Sequence, residues 1–544
     1  MSENHKDLSK KLAIVLLALI LILSEMLILY YATQKVGYHI DELWSFAHSN
    51  SSEGGFLYPL QRSGDSNDYE DVVYNHWVAP EKFWNYLTVQ QGDAFNYANI
   101  TDNLAEDVHP PLYYFLLHTV SSFFPETFSK WIGITPNLIL FALVLLGLYQ
   151  LSNTLTESRA KSLLICAVFG LSLAAVNMTI FIRSYLLLTL ITVFLVSEIS
   201  KLLLSQRPSA SRLIKIFLLS VLGLLTHYYF IIFVFFLALS VGYYLFTIRQ
   251  KKLIAIFARV FLLTLISTAL LSPNLLIHLF SSTRGDQAGF RAILGLVVLG
   301  YIAALVTVLR RIIRRRKNKE LLTPCEAFTK ANQALKASIL NSPPIQSVRK
   351  LLGLTTLLTA SVIFIVAPNM GVHSDRYYFN LMPILLILGI ELLYSRVRLH
   401  KLESKNFTQI AAVLLILTLA PHLLLKSAYS FPNTDNRLRL NDDIQNAVCL
   451  LVSDQDYLIH NFSDVFFTAD QVFVAREISN ASIKYAFSEL EQTQKITVII
   501  DSRIPQTPEE TTLLKDQTGY PLQFQYKGRH GTFLYRVYSL DDQP

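Results

Sequence analysis

Long apolar runs, separated by short basic segments, fill the chain from residue 12 to residue 426. Most of these runs contain about 20 residues, the length that an α-helix needs to cross a bilayer. The pattern predicts a helical polytopic membrane protein with about eleven spans. The predicted spans are 12–31, 131–152, 162–182, 184–204, 213–227, 228–247, 253–278, 291–309, 351–368, 377–395 and 408–426.

The charges between the apolar runs orient the predicted spans. The loop 32–111 contains twelve acidic and three basic residues, whereas the strongly basic connections, such as 310–350, all fall on the opposite side. Basic loops stay in the cytoplasm under the positive-inside rule. We therefore expect a multi-pass protein of the cell membrane, that of a bacterium, with a cytoplasmic N-terminus and an extracytoplasmic C-terminus. Loop 310–350 is expected to meet anionic lipid headgroups.

The segment 112–124 is the exception among the apolar runs. With about 13 residues it is too short to cross a bilayer. It follows Pro110 and Pro111, and proline suits the first turn of a helix but not its interior. We expect a juxtamembrane helix at the outer interface, because a span here would move the basic cluster 310–317 to the outside.

After residue 430 the apolar spans stop, and strand-like stretches alternate with helical ones. Segments 457–460 and 496–500 have strand-like sequences, and 522–538 has the pattern of a β-hairpin. The predicted domains are 1–429 (transmembrane, with the outer loop 32–111 and the basic cytoplasmic loop 310–350) and 430–544 (extracytoplasmic, α/β).

Composition excludes several classes of protein. Hydrophobic residues make up 52% of the chain and charged residues only 16%, which excludes an ordinary soluble protein. The net charge of +7 is dispersed over short connections, so we expect no nucleic-acid partner. The isolated residues Cys166, Cys325 and Cys449 provide neither a disulfide framework nor zinc-ligand spacing.

Two acidic clusters stand at the ends of the outer loop. Asp41 and Glu42 follow the first span, and Glu106 and Asp107, with His109, precede the juxtamembrane helix. Asp41 has the shortest tether to a span, so we predict that it is a general base, which has to lie within hydrogen-bond reach of its substrate. Asp107 is predicted as the second catalytic residue, positioning an acceptor or a metal. Glu42, Glu106 and His109 are expected to bind substrate.

Three later turns on the predicted outer side place aromatic side chains beside a cation or an imidazole. Arginine can hold phosphate oxygens with two parallel hydrogen bonds, and tyrosine and histidine can add further bonds. We expect these turns to form one phosphate-binding pocket in which Arg183 and Arg376 converge. The residues predicted to bind substrate there are Arg183, Tyr185, His227, Tyr228, Arg376 and Tyr377.

These residue types suit the transfer of a sugar from a lipid-linked phosphate. The leaving group is already a phosphate, so it departs without being protonated. Such an enzyme needs one carboxylate to take a proton from the acceptor and cations to hold the phosphate.

The order of three motifs resembles the C-type membrane glycosyltransferases, in particular bacterial relatives of the protein O-mannosyltransferases and of the lipid A aminoarabinose transferases. The motifs are Asp41-Glu42, Asp107-Val108-His109-Pro110-Pro111-Leu112-Tyr113-Tyr114 and Arg183-Ser184-Tyr185. The resemblance covers about residues 10–395. It implies a polyprenyl-phosphate sugar donor, inverting transfer on the outer face of the membrane, and an acid of the first loop as the base.

The sequence departs from that family at two points. The family's Arg-Pro-Tyr turn is Arg183-Ser184-Tyr185 here, and the first loop is long. The sugar therefore stays unidentified, and the acceptor is a lipid, a glycan or a protein. No cofactor is certain, and a divalent metal held by Asp107 and His109 is left open.

The rival class is a lipid or glycolipid transporter or flippase without transferase activity, and a non-catalytic scaffold is a third alternative. Transporters commonly show internal repeats and broken helices at the middle of the membrane. The sequence has no evident internal repeat, which favours the transferase.

Overall fold

The protein is described by a computed structural model. The described residues are 8–57, 73–105, 107, 109–273, 324–369, 375–399, 405–424, 434–455, 457–477, 495–504, 522–530 and 533–540. They belong to two compact units. The helical unit comprises Met1–Ser24, Leu140–Ala174 and Ser184–Leu419, and the mixed unit comprises Glu25–Ile139, Ala175–Arg183 and Ala420–Pro544.

Helices dominate the chain. Up to residue 273 they are α1 (Lys10–Gln34), α2 (Ile40–Asn50), α3 (Pro80–Leu87), α4 (Ala98–Ala105), α5 (Leu112–Ser121), α6 (Lys130–Thr156), α7 (Arg159–Gly170), α8 (Leu173–Ile180), α9 (Tyr185–Ser205), α10 (Ala210–Leu224), α11 (Phe230–Thr247) and α12 (Lys251–Leu271). The later ones are α13 (Pro324–Leu340), α14 (Pro344–Asn369), α15 (Met382–Leu399), α16 (Lys405–Leu424), α17 (Thr434–Ile444) and α18 (Tyr457–Phe462).

Eight helices of the described residues are long and apolar enough to cross a membrane, and a bent pair makes nine if it forms one span. Helix α10 has 15 residues, fewer than a straight span needs, and the predicted span 291–309 lies outside the described residues. The expected architecture, a helical polytopic membrane protein with a small C-terminal sheet, is confirmed. The number of eleven spans stays a prediction.

The predicted single span 162–182 is wrong as a continuous helix. The segment consists of α7 and α8, which meet at an angle of 58°. Helix α7 ends at Gly170, where an added Cβ atom would lie 2.4 Å from Oγ of Ser24 in α1. The contact requires glycine at the point where α7 ends. Apolar composition alone gave no sign of this break, because both halves are hydrophobic.

The outer loop folds into short helices of the mixed unit. Helices α2, α3 and α4 lie within 32–111, so the loop is a folded segment rather than a slack linker. Helix α5 begins at Leu112, immediately after Pro111, and ends at Ser121. Its ten residues span about 15 Å, half of a bilayer's hydrocarbon core. The predicted short helix is therefore present, and its depth in a membrane stays a prediction.

The C-terminal segment and the outer loop share one six-stranded sheet. Its strand order is β1-β3-β2-β4-β6-β5. Strand β2 is parallel to β3 and β4, whereas β6 is antiparallel to β4 and β5. The strands are β1 (Trp77–Val78), β2 (Val448–Val452), β3 (Gln471–Ala475), β4 (Ile496–Asp501), β5 (Leu522–His530) and β6 (Phe533–Leu540).

The edge strand β1 comes from the outer loop. Trp77 pairs with Phe473 and Val78 pairs with Val472, and the rings of Trp77 and Phe473 pack edge to face at 5.2 Å. The sequence-based division assigned this strand to the transmembrane domain. The sheet thus ties the outer loop directly to the C-terminal segment.

Two of the three predicted strand segments in the C-terminal part are correct. Strand β4 covers 496–500, and β5 pairs with β6 as expected for a hairpin. The strand expected at 457–460 is wrong, because these residues belong to helix α18. Leu458, Ile459 and His460 are all buried, and a short, fully buried apolar run does not distinguish a strand from a helix.

Candidate functional site

Helix α2 begins with a capping box that uses the first acidic cluster. The backbone N–H of Asp41 donates to Nδ1 of His39 at 3.1 Å, and the carboxylate of Glu42 accepts the backbone N–H of His39 at 2.7 Å. Both acids therefore lie in the first turn of α2. Negative charge is stabilised there by the helix N–H groups.

Glu42 is the buried anchor of this region. Its Oε2 lies 2.7 Å from Nζ of Lys35, with both side chains fully buried, and its Oε1 accepts the backbone N–H of Ile182 at 2.9 Å. Asn137 donates to the carbonyls of Thr179 and Phe181. Together these bonds fasten the turn that precedes Arg183. Glu42 was predicted to bind substrate, and the structure places its carboxylate in contacts within the chain.

The second acidic cluster is organised by two imidazoles. Oδ2 of Asp107 lies 2.6 Å from Nδ1 of His109 and 3.3 Å from Nε2 of His48. Burial alone would raise the pKa of Asp107, but His109, His48 and Arg183 together hold that pKa well below its usual value. Burial lowers the pKa of His48 to about 4. At neutral pH the centre is therefore a carboxylate with a neutral His48.

Arg183 joins the two acidic clusters. Its guanidinium donates to the hydroxyls of Ser45 at 3.2 Å and Tyr114 at 3.0 Å, and to Nε2 of His109 at 3.0 Å. Because Nε2 of His109 accepts this bond, its Nδ1 carries the proton that is donated to Asp107. The result is a hydrogen-bonded chain Asp107–His109–Arg183, and Arg183 is only 5% exposed.

Asp41 interacts with Ser45 and Tyr114, the two residues whose hydroxyls accept hydrogen bonds from Arg183. Ser45 donates to the backbone carbonyl of Asp41 at 2.9 Å, one helical turn away. Burial raises the pKa of Tyr114, Arg183 opposes this, and both Asp107 and Asp41 add to it. The two acidic clusters, 66 positions apart in sequence, therefore act electrostatically on one phenol. We call Lys35, Asp41, Glu42, Asp107, His109 and Arg183 the charged cluster.

The helical unit holds a second group of predicted site residues, at the start of α9 and α11. The ring of His227 lies 5.4 Å from that of Tyr185, 5.0 Å from that of Tyr228 and 6.3 Å from that of Tyr377. The backbone N–H of Tyr229 donates to Nδ1 of His227 at 3.2 Å. A neutral His227 thus carries its proton on Nε2. We call Tyr185, His227, Tyr228, Tyr229 and Tyr377 the aromatic cluster.

A small cavity opens among these rings. Thr359 and Asn380 line it together with Tyr185, His227 and Tyr377. Leu188, Phe233 and Ile363 also line it, so residues with hydroxyl, amide and imidazole groups border this space together with apolar ones. Hydroxyl, amide and imidazole groups donate hydrogen bonds to oxygen ligands without introducing a full charge.

Arg376 and Glu106 are the remaining predicted site residues. Arg376 is buried, and its guanidinium lies over the ring of Tyr377 at 5.8 Å, a cation–π contact. Arg183 belongs to the mixed unit and Arg376 to the helical unit, so their convergence on one pocket stays a prediction. Glu106 lies outside the described residues.

The metal left open by the sequence does not fit the side chains as they are placed. The part of the chain that the structure describes holds no group of three or more His, Cys, Asp or Glu side chains arranged for a metal. Asp107 and His109 are hydrogen-bonded to each other, and the second nitrogen of His109 accepts from Arg183. A divalent ion at this pair would have to break both bonds beside a guanidinium.

Three side chains around the charged cluster were not predicted. Ser45 and His48 follow Asp41 by four and seven positions, the spacing of one helix face. A helix assigned from the capping residue His39 onward would have revealed them. Tyr114 lies in the His-Pro-Pro-Leu-Tyr-Tyr motif, but it was given no role.

No family model matches the sequence, and no curated protein matches it. Solved structures do align with it. The oligosaccharyltransferase of Archaeoglobus fulgidus, tethered to an acceptor peptide, is 13% identical to this chain. The alignment covers 98% of this chain and 74% of that protein, with a TM-score of 0.47. The same enzyme with zinc and sulfate is 13% identical and covers 78% of this chain, with a TM-score of 0.38; this chain spans 64% of its length.

ArnT from Cupriavidus metallidurans, bound to undecaprenyl phosphate, is 10% identical to this chain. The alignment covers 97% of this chain and 98% of that protein, with a TM-score of 0.40. These scores and identities are low, so a function for this protein has to come from the chemistry of its own side chains.

Proposed function

We propose that the protein is an integral membrane glycosyltransferase, which transfers a sugar from a polyprenyl-phosphate donor to an acceptor on the outer face of the membrane. The observation that carries the proposal is the Asp107–His109–Arg183 chain, packed beside the N-terminus of α2 with Asp41. A carboxylate base and a nearly buried cation are the two groups that this reaction requires.

Asp41 is the better candidate for the base. Asp107 is held by two imidazoles and its pKa is well below its usual value, so it is a weak proton acceptor. The role that fits Asp107 is to orient His109 and Arg183. Asp41 Oδ2 lies 3.8 Å from Nδ1 of His39, a looser contact than the 2.6 Å between Asp107 and His109.

The proposed step is a single displacement. The acceptor hydroxyl oxygen forms a bond to the anomeric carbon while the bond from that carbon to the phosphate oxygen breaks. The hydroxyl proton goes to Asp41, and polyprenyl phosphate leaves as an anion facing Arg183. Attack from the side opposite to the leaving group inverts the anomeric configuration.

The aromatic cluster of the helical unit stays a predicted donor-binding group. His227 and the tyrosines donate neutral hydrogen bonds, while Arg376 adds a positive charge beside Tyr377. The partners of the protein are then the lipid-linked donor, the surrounding membrane lipids and a lipid, glycan or protein acceptor.

The test is sugar transfer by purified protein in proteoliposomes, supplied with a panel of radiolabelled polyprenyl-phosphate sugars and envelope extract as acceptor. Asp41→Asn should lower turnover at least ~100-fold, since general base catalysis is lost. Asp102→Asn, in the same loop but exposed, is the matched control and should retain turnover.

The outcomes separate the roles of the two acids. If Asp107→Asn is inactive while Asp41→Asn is active, Asp107 is the base and Asp41 is the positioning residue. Full activity of both variants would refute the transferase. If the wild type transfers no sugar from any donor, a lipid-flipping assay with the same vesicles tests the rival transporter.

A further inference from the structure

His48 is a buried histidine to which the proposed chemistry gives no role. It lies on the face of α2 that carries Asp41 and Ser45, and it is 1% exposed. Its Nε2 lies 3.3 Å from Oδ2 of Asp107, the same oxygen that His109 contacts. The carboxylate of Asp107 is therefore held between two imidazoles from different segments of the chain.

The ring of His48 is fixed by its surroundings. Phe56 and Tyr114 pack against it edge to face, at 5.0 Å and 5.8 Å between ring centres. A Cβ atom added to Gly55 would come within 2.6 Å of Nδ1, so the backbone closes the remaining side. Asn103 donates to the backbone carbonyl of His48 at 3.3 Å. The ring therefore cannot turn away from Asp107 without moving its neighbours.

One nitrogen of His48 is left unsatisfied by this arrangement. Among the described residues, Nδ1 has no hydrogen-bond partner although it is buried. A buried polar atom without a partner is destabilising, so a phenylalanine or leucine would suit packing alone better. The feature that an apolar residue lacks is the Nε2–H group directed at Asp107.

We infer that His48 is a positioning residue, which fixes the carboxylate of Asp107 and through it the His109–Arg183 pair. The inference rests on the proposed transferase function, and it adds a residue outside the sequence motifs. Loss of the Nε2–H group removes one of the two imidazole contacts that orient the carboxylate. Arg183 is then less well fixed where charge develops on the leaving phosphate.

The experiment compares His48→Gln, His48→Asn and His48→Leu in the proteoliposome assay. The amide N–H of glutamine reaches the position of imidazole Nε2, whereas that of asparagine reaches only the position of Nδ1. We expect His48→Leu and His48→Asn to lower kcat about 10- to 100-fold, with KM for donor and acceptor unchanged within twofold. His48→Gln should restore most of kcat.

His118→Leu is the matched control. His118 is also 1% exposed and lies one helical turn after Tyr114 in α5. Its replacement should leave kcat within about threefold of the wild type, since the proposed step gives it no role. The inference is overturned if His118→Leu and His48→Leu lose equal amounts of kcat. It is also overturned if His48→Leu keeps the wild-type kcat, or if His48→Gln is as slow as His48→Leu.

A measurement independent of turnover separates this inference from the proposed function. Thermal unfolding of His48→Leu, Asp107→Asn and the double variant forms a double-mutant cycle, since each single variant removes one side of the contact. If His48 holds Asp107, the shifts in Tm are not additive, whether or not sugar is transferred. Additive shifts refute the contact. If the wild type transfers no sugar but the cycle is non-additive, the proposed transferase function is refuted and the contact between His48 and Asp107 stands.

Discussion

The charged cluster of the mixed unit and the aromatic cluster of the helical unit are held together in different ways. In the first, Glu42, Asp107 and Arg183 are fixed by ion pairs and charge-assisted hydrogen bonds of 2.6–3.3 Å. In the second, His227 and its neighbouring tyrosines are fixed by ring contacts of 5.0–6.3 Å. Both contain residues that the sequence singled out.

The two kinds of contact predict different responses to substitution. A buried charge that loses its partner keeps its desolvation cost, so single changes in the charged cluster should be severe. Ring contacts are spread over many weak interactions, so single changes in the aromatic cluster should be mild. The following predictions test this contrast.

The largest effect is expected for Glu42→Gln. It removes the carboxylate charge that faces the buried Lys35 and weakens the bond to Ile182, which should lower the free energy of unfolding by about 3–5 kcal/mol. The measurement is thermal unfolding in detergent, with the exposed acid variant Glu81→Gln as control. The double variant Lys35→Met with Glu42→Gln should recover part of the loss, and no recovery would contradict the ion-pair explanation.

Arg183→Gln should be the next most damaging substitution. If Arg183 faces the leaving phosphate as proposed, its removal should cost about 10²–10³-fold in turnover, measured with purified variants. Arg376→Gln, beside the aromatic cluster, removes a cation–π contact, so it should cost less than about tenfold and act mainly on donor KM. A larger loss in Arg376→Gln would reverse the assignment of the two arginines.

Lowering the pH should lower the stability of the mixed unit, because His48 is buried in its neutral form. Its pKa in the folded protein is about 4, whereas the unfolded value is about 6.5. As pH falls through this interval the unfolded chain binds a proton before the folded one does, so stability is lost by up to about 3 kcal/mol. His48→Gln should lose less stability than the wild type between pH 7 and pH 4. Equal losses in thermal-unfolding scans would contradict the prediction.

The smallest effects are expected in the aromatic cluster. Tyr377→Phe keeps the ring and removes only the hydroxyl, so donor KM should rise about two- to fivefold, the loss of one neutral hydrogen bond, while kcat is unchanged. Tyr243→Phe, also in the helical unit but outside the cluster, is the matched control. A kcat reduced tenfold or more in Tyr377→Phe would place this hydroxyl in the chemical step.

The local features of the fold followed from the sequence. Most apolar runs became helices of the expected length, because burial in a bilayer is decided by the composition of about 20 consecutive residues. Pro110 and Pro111 marked the start of α5, since proline suits the first turn of a helix better than its interior. The final hairpin followed from strand-like runs close together in the chain. Asp41, Asp107 and Arg183 were likewise selected as site residues from local motifs.

Contacts between distant segments were decided only by the tertiary structure. Glu42 and Ile182 are 140 positions apart, and no local pattern reveals that the carboxylate of one accepts the N–H of the other. The same is true of His48 beside Asp107 and of β1 beside β3. The close approach of Gly170, at the end of α7, to Ser24 of α1 is also a contact between distant positions. A sequence determines where each segment is apolar or charged, but side-chain packing determines which of its acids, bases and backbone groups are brought together, because those partners come from segments far apart in the chain.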